Sequence, residues 1–288
     1  PEYLILLANY KVSMIYRKSL LLLLLALLMV SCDKLFEFSP YSAYVPNWRK
    51  NTTEQNLEKL LANSDSPDFK PFEFTLISDN HLFYDELQNA IEHINKHQSA
   101  DFLIHGGDMT DGGLIKEYDI FQDLMKDLET PYFTVIGNHD LLANGRSIYA
   151  DMFGPENYSF IYNNCKFIFF NNVVWELNFA EPDFRWLRNE LIDRDQFTHV
   201  FVIAHIPPWT DQFFLSYFYI YNLLMTDYKV SLSIHGHHHN PYEYQNDTLP
   251  AEITVGPNLV IGAPQKNVYR KVKVLADTVL FETINFVE

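Results

Sequence analysis

Cysteine is almost absent from this chain: Cys32 and Cys165 are the only two in 288 residues, too few for a disulfide framework. Basic residues are scarce as well, with 21 Lys+Arg against 37 Asp+Glu and a formal net charge of −16. Such a chain lacks the basic footprint with which a nonspecific nucleic-acid binder releases counterions, so no nucleic-acid binding is expected. A small phosphate substrate is not excluded, because a bound metal inverts the field locally. At 20% charged and 48% hydrophobic, the composition is neither that of a disordered chain nor that of a coiled coil. No internal repeat is visible, and no low-complexity segment follows the leader. What the sequence has in quantity is aromatic side chains, 16% of its residues, enough to pack a sizeable core.

The apolar run Leu20 to Val30 is eleven residues long and follows Arg17, Lys18 and Ser19. A spanning helix needs roughly 20 apolar residues, so the run reads as the short hydrophobic region of an export signal behind a basic start. Its end, Leu28-Met29-Val30-Ser31-Cys32, resembles the lipobox of bacterial lipoproteins, with Met29 where Leu is commoner. That resemblance implies a lipid on Cys32, membrane attachment through it and a place in the bacterial cell envelope; a plain signal peptide is the alternative. Met14 is the expected start of the signal, which makes residues 1–31 a leader and residues 1–13 upstream, non-native sequence. Residues 32–70, rich in Asn, Ser, Pro and Tyr, read as a tether and an irregular N-terminal segment.

From residue 71 to 288 the pattern becomes regular. Strands are predicted over Glu73–Ser78, Phe102–His105, Tyr132–Ile136, Tyr158–Asn163, Lys166–Asn171, His199–Ala204 and Val230–Ile234. Helical spacing marks Asp85–His97, the run through Tyr118, Phe121, Leu124 and Leu128, and the stripe Phe184, Leu187 and Leu191. After Ala251 the chain reads all-β, with strands over Glu252–Val255, Leu259–Ile261, Tyr269–Val274 and Val279–Phe286. Alternating strands and helices followed by a β-rich end predict one α/β domain with helices outside the sheets.

The polar residues that stand out gather at predicted strand ends. They are Ser78-Asp79-Asn80-His81, Gly106-Gly107-Asp108, Gly137-Asn138-His139-Asp140, Ala204-His205 and Gly236-His237-His238-His239. Any one of these alone is an ordinary turn. Five on successive strand ends would converge on one crevice and bring together carboxylate and imidazole ligands suited to Zn, Mn or Fe.

This ordered series resembles the calcineurin-like metallophosphoesterases, over most of the chain from about Pro71 onward. Phe153-Gly154-Pro155, Tyr158-Ser159-Phe160 and Phe184-Arg185-Trp186-Leu187 resemble the subgroup that contains cyclic-nucleotide phosphodiesterases. The resemblance implies a sandwich of two mixed β-sheets flanked by helices, with a dinuclear metal site at strand ends. It places Asp79, His81, Asp108 and His239 on one metal and Asp108, Asn138, His205 and His237 on the other, Asp108 bridging. The metals would be two divalent or mixed-valence ions (Mn, Fe or Zn). The implied activity is hydrolysis of small phosphate esters, diesters ahead of monoesters, by a metal-bridging hydroxide. Asp108 would set the metal spacing, and His139, beside the metals but not a ligand, would protonate the leaving oxygen. Alternatives are a pyrophosphohydrolase or phosphomonoesterase acting on lipid-linked or cell-wall phosphates, or an inactive binding scaffold.

Other polar residues leave two readings open. Asp140 either orients a group in its loop or is a solvated turn residue. His105, His235 and His238 either pack or contact ligands and substrate. His93 and His97 fit a wet helix face better than a metal site, and His199 is expected to be exposed. Arg146 is either a surface residue or a contact for the substrate phosphate. The aromatic stretch from Trp209 to Tyr228 is either a core helix or a lid that packs a nucleobase or an acyl chain. If the lipobox reading holds, Cys32→Ser should leave the protein unprocessed or release it from the membrane fraction; fractionation followed by immunoblotting checks this, and unchanged partitioning and processing would remove the lipid anchor.

Overall fold

The computed structural model describes residues 14, 16–23, 39–62, 68–97, 100–244 and 257–286. The chain divides into two compact units, Pro1–Ser42 and Ala43–Glu288. Within the first, residues 16–23 are helical, and no described helix is long and apolar enough to cross a membrane. Ser31 and Cys32, and the strand expected over Glu252–Val255, lie outside the described residues.

In the second unit, runs of β-branched and aromatic residues form two sheets. The first holds Phe72–Ile77 (β1), Phe102–His105 (β2), Tyr132–Thr134 (β3), Val268–Val274 (β10) and Val279–Asn285 (β11), in the order β11-β10-β1-β2-β3. The second holds Tyr158–Tyr162 (β4), Cys165–Phe169 (β5), His199–Ile203 (β6), Leu232–His235 (β7), Tyr242–Tyr244 (β8) and Asn258–Val260 (β9), in the order β4-β5-β6-β7-β9-β8. β1, β2 and β3 pair in parallel while β10 and β11 run antiparallel. β5, β6, β7 and β9 are parallel, with antiparallel edges at β4 and β8. Both sheets are therefore mixed, as expected.

Strand alternation divides the core in two. Phe72, Phe74 and Leu76 of β1 share one cluster with Phe102, Ile104, Phe133, Phe160, Phe167 and Phe201. Its rings interlock across the sheets: Phe74 stacks on Phe102 at 5.3 Å and meets Phe167 edge-on at 5.5 Å, while Phe167 stacks on Phe201 at 4.8 Å. The opposite strand faces, with Ile77, Leu103, Ile168 and Val202, join Leu87, Ile91, Phe121, Leu187 and Tyr221 in a second cluster. These last come from helices Tyr84–His97 (α2), Ile115–Met125 (α3), Phe184–Leu191 (α5) and Leu215–Asp227 (α6), so helices cover the outer faces. Cys165 is buried, and burial pushes its thiol up to about 12.

Three local expectations are corrected. The stretch expected to be irregular contains a helix, Thr52–Leu61 (α1), with Glu54 in its first turn and Lys59 in its last, matching the helix dipole. Asn56 on α1 donates to the Tyr132 carbonyl at 2.8 Å, and buried Arg49 reaches Asp119 at 3.1 Å and Asp123 at 2.8 Å on α3. Gly145–Met152 (α4) forms a further unexpected helix. His199 is buried instead of exposed, because its ring nitrogens find Ser231 Oγ at 3.1 Å and the Leu275 carbonyl at 2.8 Å.

Phe167 touches rings from both sheets, so Phe167→Ala should cost about 3–5 kcal/mol of stability. Denaturant unfolding should show a lowered midpoint at unchanged slope.

Candidate metal centre

Three strands of one sheet and two of the other deliver their C-terminal ends to one place. Asp79 and His81 follow β1, Asp108 follows β2, Asn138 and His139 follow β3, His205 follows β6, and His237 and His239 follow β7. The chain turns sharply at each delivery. Asp79, His81, Asp108 and His237 hold left-handed backbone, with φ of 57°, 44°, 54° and 65°. Non-glycine residues there cost of order 1–3 kcal/mol each, and such strain gathers at functional sites. Two glycines make the approach possible. Gly107 sits at φ 97°, where a Cβ would lie 2.5 Å from His205 Nδ1, and a Cβ on Gly137 would collide with the Asp108 carboxylate.

The side chains form two adjoining ligand groups. Asp79, His81 and His239 present donor atoms within 4.8 Å of one another, as do Asp108, His205 and His237. Asp108 stands between the groups, its Oδ2 3.2 Å from His205 Nε2 and 3.7 Å from His81 Nε2. The Asn138 amide oxygen lies 3.2 Å from both His205 Nε2 and His237 Nδ1. All seven residues expected as ligands are thus brought together.

The electrostatics fit a cation. Neither carboxylate oxygen of Asp79 has a hydrogen-bond partner although both are buried, and burial pushes its carboxyl up to about 7. Burial lowers His81 and His239 and takes His237 down to about 3, leaving neutral imidazoles with a free lone pair. Burial opposes ionisation of Asp108 and His205 too, but the two stabilise each other's charge: Asp108 falls below the usual carboxylate range and His205 rises to about 10. A bound dication would take over the role of the His205 proton and offset the cost of charging Asp79. Two carboxylates, four imidazoles and an amide oxygen form a donor set for Zn, Mn or Fe.

His139 stands beside the ligands. Its backbone N–H donates to Asp108 Oδ1 at 2.9 Å, and its Nδ1 donates to the Asp111 carbonyl at 2.7 Å. That bond assigns the tautomer with Nε2 unengaged. Burial lowers its affinity for a proton, but Asp108 and Asp111 more than offset this and hold it above the ordinary imidazole value. The open cleft here has a volume of about 340 Å³, with His81, Asp108, His139 and His237 on its polar side and Leu82 and Phe83 as an apolar lip.

Residues left with two readings now divide. Asp140 is buried and orients its loop, accepting from Thr110 N at 3.0 Å, Thr110 Oγ1 at 2.9 Å and Gly137 N at 2.9 Å. His105 and His235 are packed and bonded, to Asn80 Oδ1 at 2.9 Å and to the Ala204 carbonyl at 3.0 Å. His238 meets the Tyr242 hydroxyl at 2.5 Å, which in turn accepts from Trp209 Nε1 at 3.0 Å. Arg146 is engaged by Glu156, and His93 and His97 stack on each other on α2 at 4.0 Å. Three contacts escaped the sequence reading. The Asp111 carboxylate lies 3.5 Å from His81 Nδ1 and 3.7 Å from His139 Nδ1, the Gln265 amide meets His239 Nδ1 at 2.9 Å, and Glu176 accepts from the Asn138 amide at 3.3 Å. Asp111, three residues after Asp108, carried a local signal; Gln265 and Glu176 carried none.

Two mixed sheets with an Asp/His ligand cluster at their strand ends define a metallophosphoesterase architecture. The model of the calcineurin-like phosphoesterase family matches residues 72–241, and the chain belongs to that family. It is 29% identical over 193 residues to a probable cyclic nucleotide phosphodiesterase of Pseudoalteromonas sp. (strain SM9913), covering 59% of this chain and 72% of that one. It is also 41% identical over 59 residues to a probable glycerophosphodiester phosphodiesterase of Arcobacter nitrofigilis, covering 20% of this chain and only 22% of that protein. Among solved structures, a purple acid phosphatase from yellow lupin superposes with a TM-score of 0.57 at 15% identity, covering 76% of this chain and 52% of that one. That likeness concerns the fold.

Replacing a buried, unpaired carboxylate by a neutral amide removes a desolvation cost. Asp79→Asn should therefore raise the melting temperature of the chelator-treated protein. Excess Mn²⁺ or Zn²⁺ should raise the melting temperature of the wild type by more than that of the variant. An undiminished metal-induced shift in the variant would remove Asp79 from the ligand set.

Proposed function

We propose that the chain is a metal-dependent phosphodiesterase. Asp79, His81, Asp108 and His239 hold one metal, and Asp108, Asn138, His205 and His237 hold the other. The observation that carries this reading is the Asp108 carboxylate, buried between the two ligand groups within 3.7 Å of a histidine of each. The preference for diesters draws on the two relatives named as phosphodiesterases. Two bound metals would clamp the phosphoryl oxygens and furnish hydroxide at neutral pH.

The chain's own residues do the rest. Glu176 takes the Asn138 amide protons, so that the amide oxygen turns toward His205 and His237. Asp140 holds the Gly137 turn, and with it the loop that carries Asn138 and His139. In the imidazolium form of His139 the Nδ1 proton is held by the Asp111 carbonyl, so the Nε2 proton is the one available to the departing alkoxide. A general acid must carry its proton at neutral pH; with Asp108 bonded to metal, the Asp111 carbonyl and carboxylate would be the groups left to favour that form. We further propose export and a lipid anchor on Cys32, on the strength of the Ser31-Cys32 sequence behind the short apolar run.

The test compares two leaving groups. Metal-loaded protein should hydrolyse both a nitrophenyl diester and a dialkyl diester, and His139→Gln should keep its metal. The variant should lose about 100- to 10,000-fold on the alkyl leaving group and far less on nitrophenolate, which departs without a proton. Equal losses on both would move His139 from proton donor to phosphate binding. No turnover of either ester by the metal-loaded wild type would overturn the phosphodiesterase reading.

A further inference from the structure

A surface helix ordinarily turns a polar face to water. α6 does not. Between Leu215 and Thr226 it carries no charged residue. Phe218, Tyr221 and Met225 are buried, which fixes the helix orientation, and the outward stripe is Leu215, Tyr219 and Leu223, exposed by 69%, 43% and 49%. Phe214, just before the helix, stacks at 6.1 Å on Phe179, which is 60% exposed. Phe179 itself sits at φ 60°, a genuine outlier for so bulky a residue. Single exposed apolar residues need no explanation, but a contiguous strip does.

The strip leads to the metal centre. Phe179 donates its backbone N–H to the Val174 carbonyl at 2.9 Å, closing a turn that carries exposed Trp175 and half-buried Glu176. Glu176 is the residue bonded to the Asn138 amide. The turn that reaches Asn138 through Glu176 thus also carries Trp175 and Phe179, and Phe179 joins it through Phe214 to α6, where Leu215 to Leu223 alone spans about 12 Å.

We propose that this strip seats a hydrocarbon chain, and that the phosphoester cleaved at the centre is an amphiphile whose phosphate lies at the Asn138 end and whose tail runs along α6. The proposal rests on the phosphodiesterase reading for its chemistry. Continuity with the centre favours a substrate tail over an unrelated partner. The lack of charge along the strip favours hydrocarbon over a peptide or a sugar. A second copy of the chain would bring its own net charge of −16 against this one.

Binding of ethylphosphonate and decylphosphonate to the metal-loaded full chain, both below micellar concentration, tests it by calorimetry without turnover, since the C–P bond resists hydrolysis. A fully buried methylene is worth about fourfold in affinity, so a one-sided surface should still give decylphosphonate at least a tenfold advantage. Phe214→Ser with Leu215→Ser, both exposed and within reach of a ten-carbon tail, should cut that advantage to a few-fold. The leader's own apolar run is present in both proteins and does not affect the comparison. Equal affinity for the two phosphonates, failure of decylphosphonate to bind, or an advantage undiminished by the double substitution would each overturn the proposal. So would a drop in oligomer mass in the double variant, which would make the strip a self-association surface. Turnover of a nitrophenyl methyl diester is measured separately: its absence alongside tail-dependent binding would sink the phosphodiesterase reading and leave the tail site standing.

Discussion

The carboxylate of Asp108 is almost wholly buried at the base of the cleft, and a charge in that position must be matched by its neighbours. His205 at 3.2 Å, His81 at 3.7 Å and the backbone N–H of His139 at 2.9 Å from Oδ1 supply the match. Each of these partners comes from a different strand end, so satisfying one carboxylate fixes three strands relative to one another. The close approach also dictates composition nearby. Gly137 can carry no side chain because Asp108 occupies the space, and Gly107 none because His205 does. Asp140 then holds the Gly137 turn from below through a second buried carboxylate. Much of the arrangement of the centre follows from housing this one acid.

Housing it is costly. Four residues at the centre hold left-handed backbone, and burial holds the Asp79 carboxyl well above the usual carboxylate range despite the nearby His205 charge. Such features destabilise a fold by kilocalories per residue, and the rest of the molecule must over-determine them. The phenylalanine layer between the sheets does so. Its rings come from β1, β2, β3, β4, β5 and β6, which include the strands that end in Asp79, Asp108, Asn138 and His205. The packing that stabilises the fold and the geometry that positions the candidate ligands therefore share the same strands, with phenylalanine along their length and the candidate ligands at their tips.

Much of this was legible in the sequence, for a physical reason. Ligands placed at strand ends are local: a short apolar run, a turn and a polar cluster sit together in the chain, and Asp79, Asp108, Asn138, His205 and His237 could each be read that way. What escaped reading is non-local or weakly patterned. Gln265 and Glu176 reach the centre from turns whose own neighbours give no sign of it. α1 was missed because its apolar residues, Leu57, Leu60 and Leu61, occupy only its second half, and what holds it is Asn56 on a remote carbonyl. β8 spans three residues at a sheet edge, too short for alternation to show. His199 opens a strand and looks exposed in sequence; its burial depends on Ser231 and Leu275, both distant.

An acidic protein that handles phosphate meets an apparent contradiction in its own field. At −16 the chain repels an anion at long range, and screening shortens that repulsion to about 10 Å at ordinary salt. Attraction must therefore be generated locally, where two dications would bring four positive charges into a group that contributes the carboxylates Asp79 and Asp108. Local attraction of that kind holds the phosphate but cannot choose among diesters, because every diester offers the same two terminal oxygens. Discrimination has to come from whatever the rest of the substrate touches. At this cleft the apolar surface is Leu82 and Phe83, and beyond Asn138 the turn that carries Glu176 also exposes Trp175 and Phe179. Both present apolar side chains, and the second is tied to the centre through Glu176, so the turn that would meet the rest of a substrate also positions the Asn138 amide.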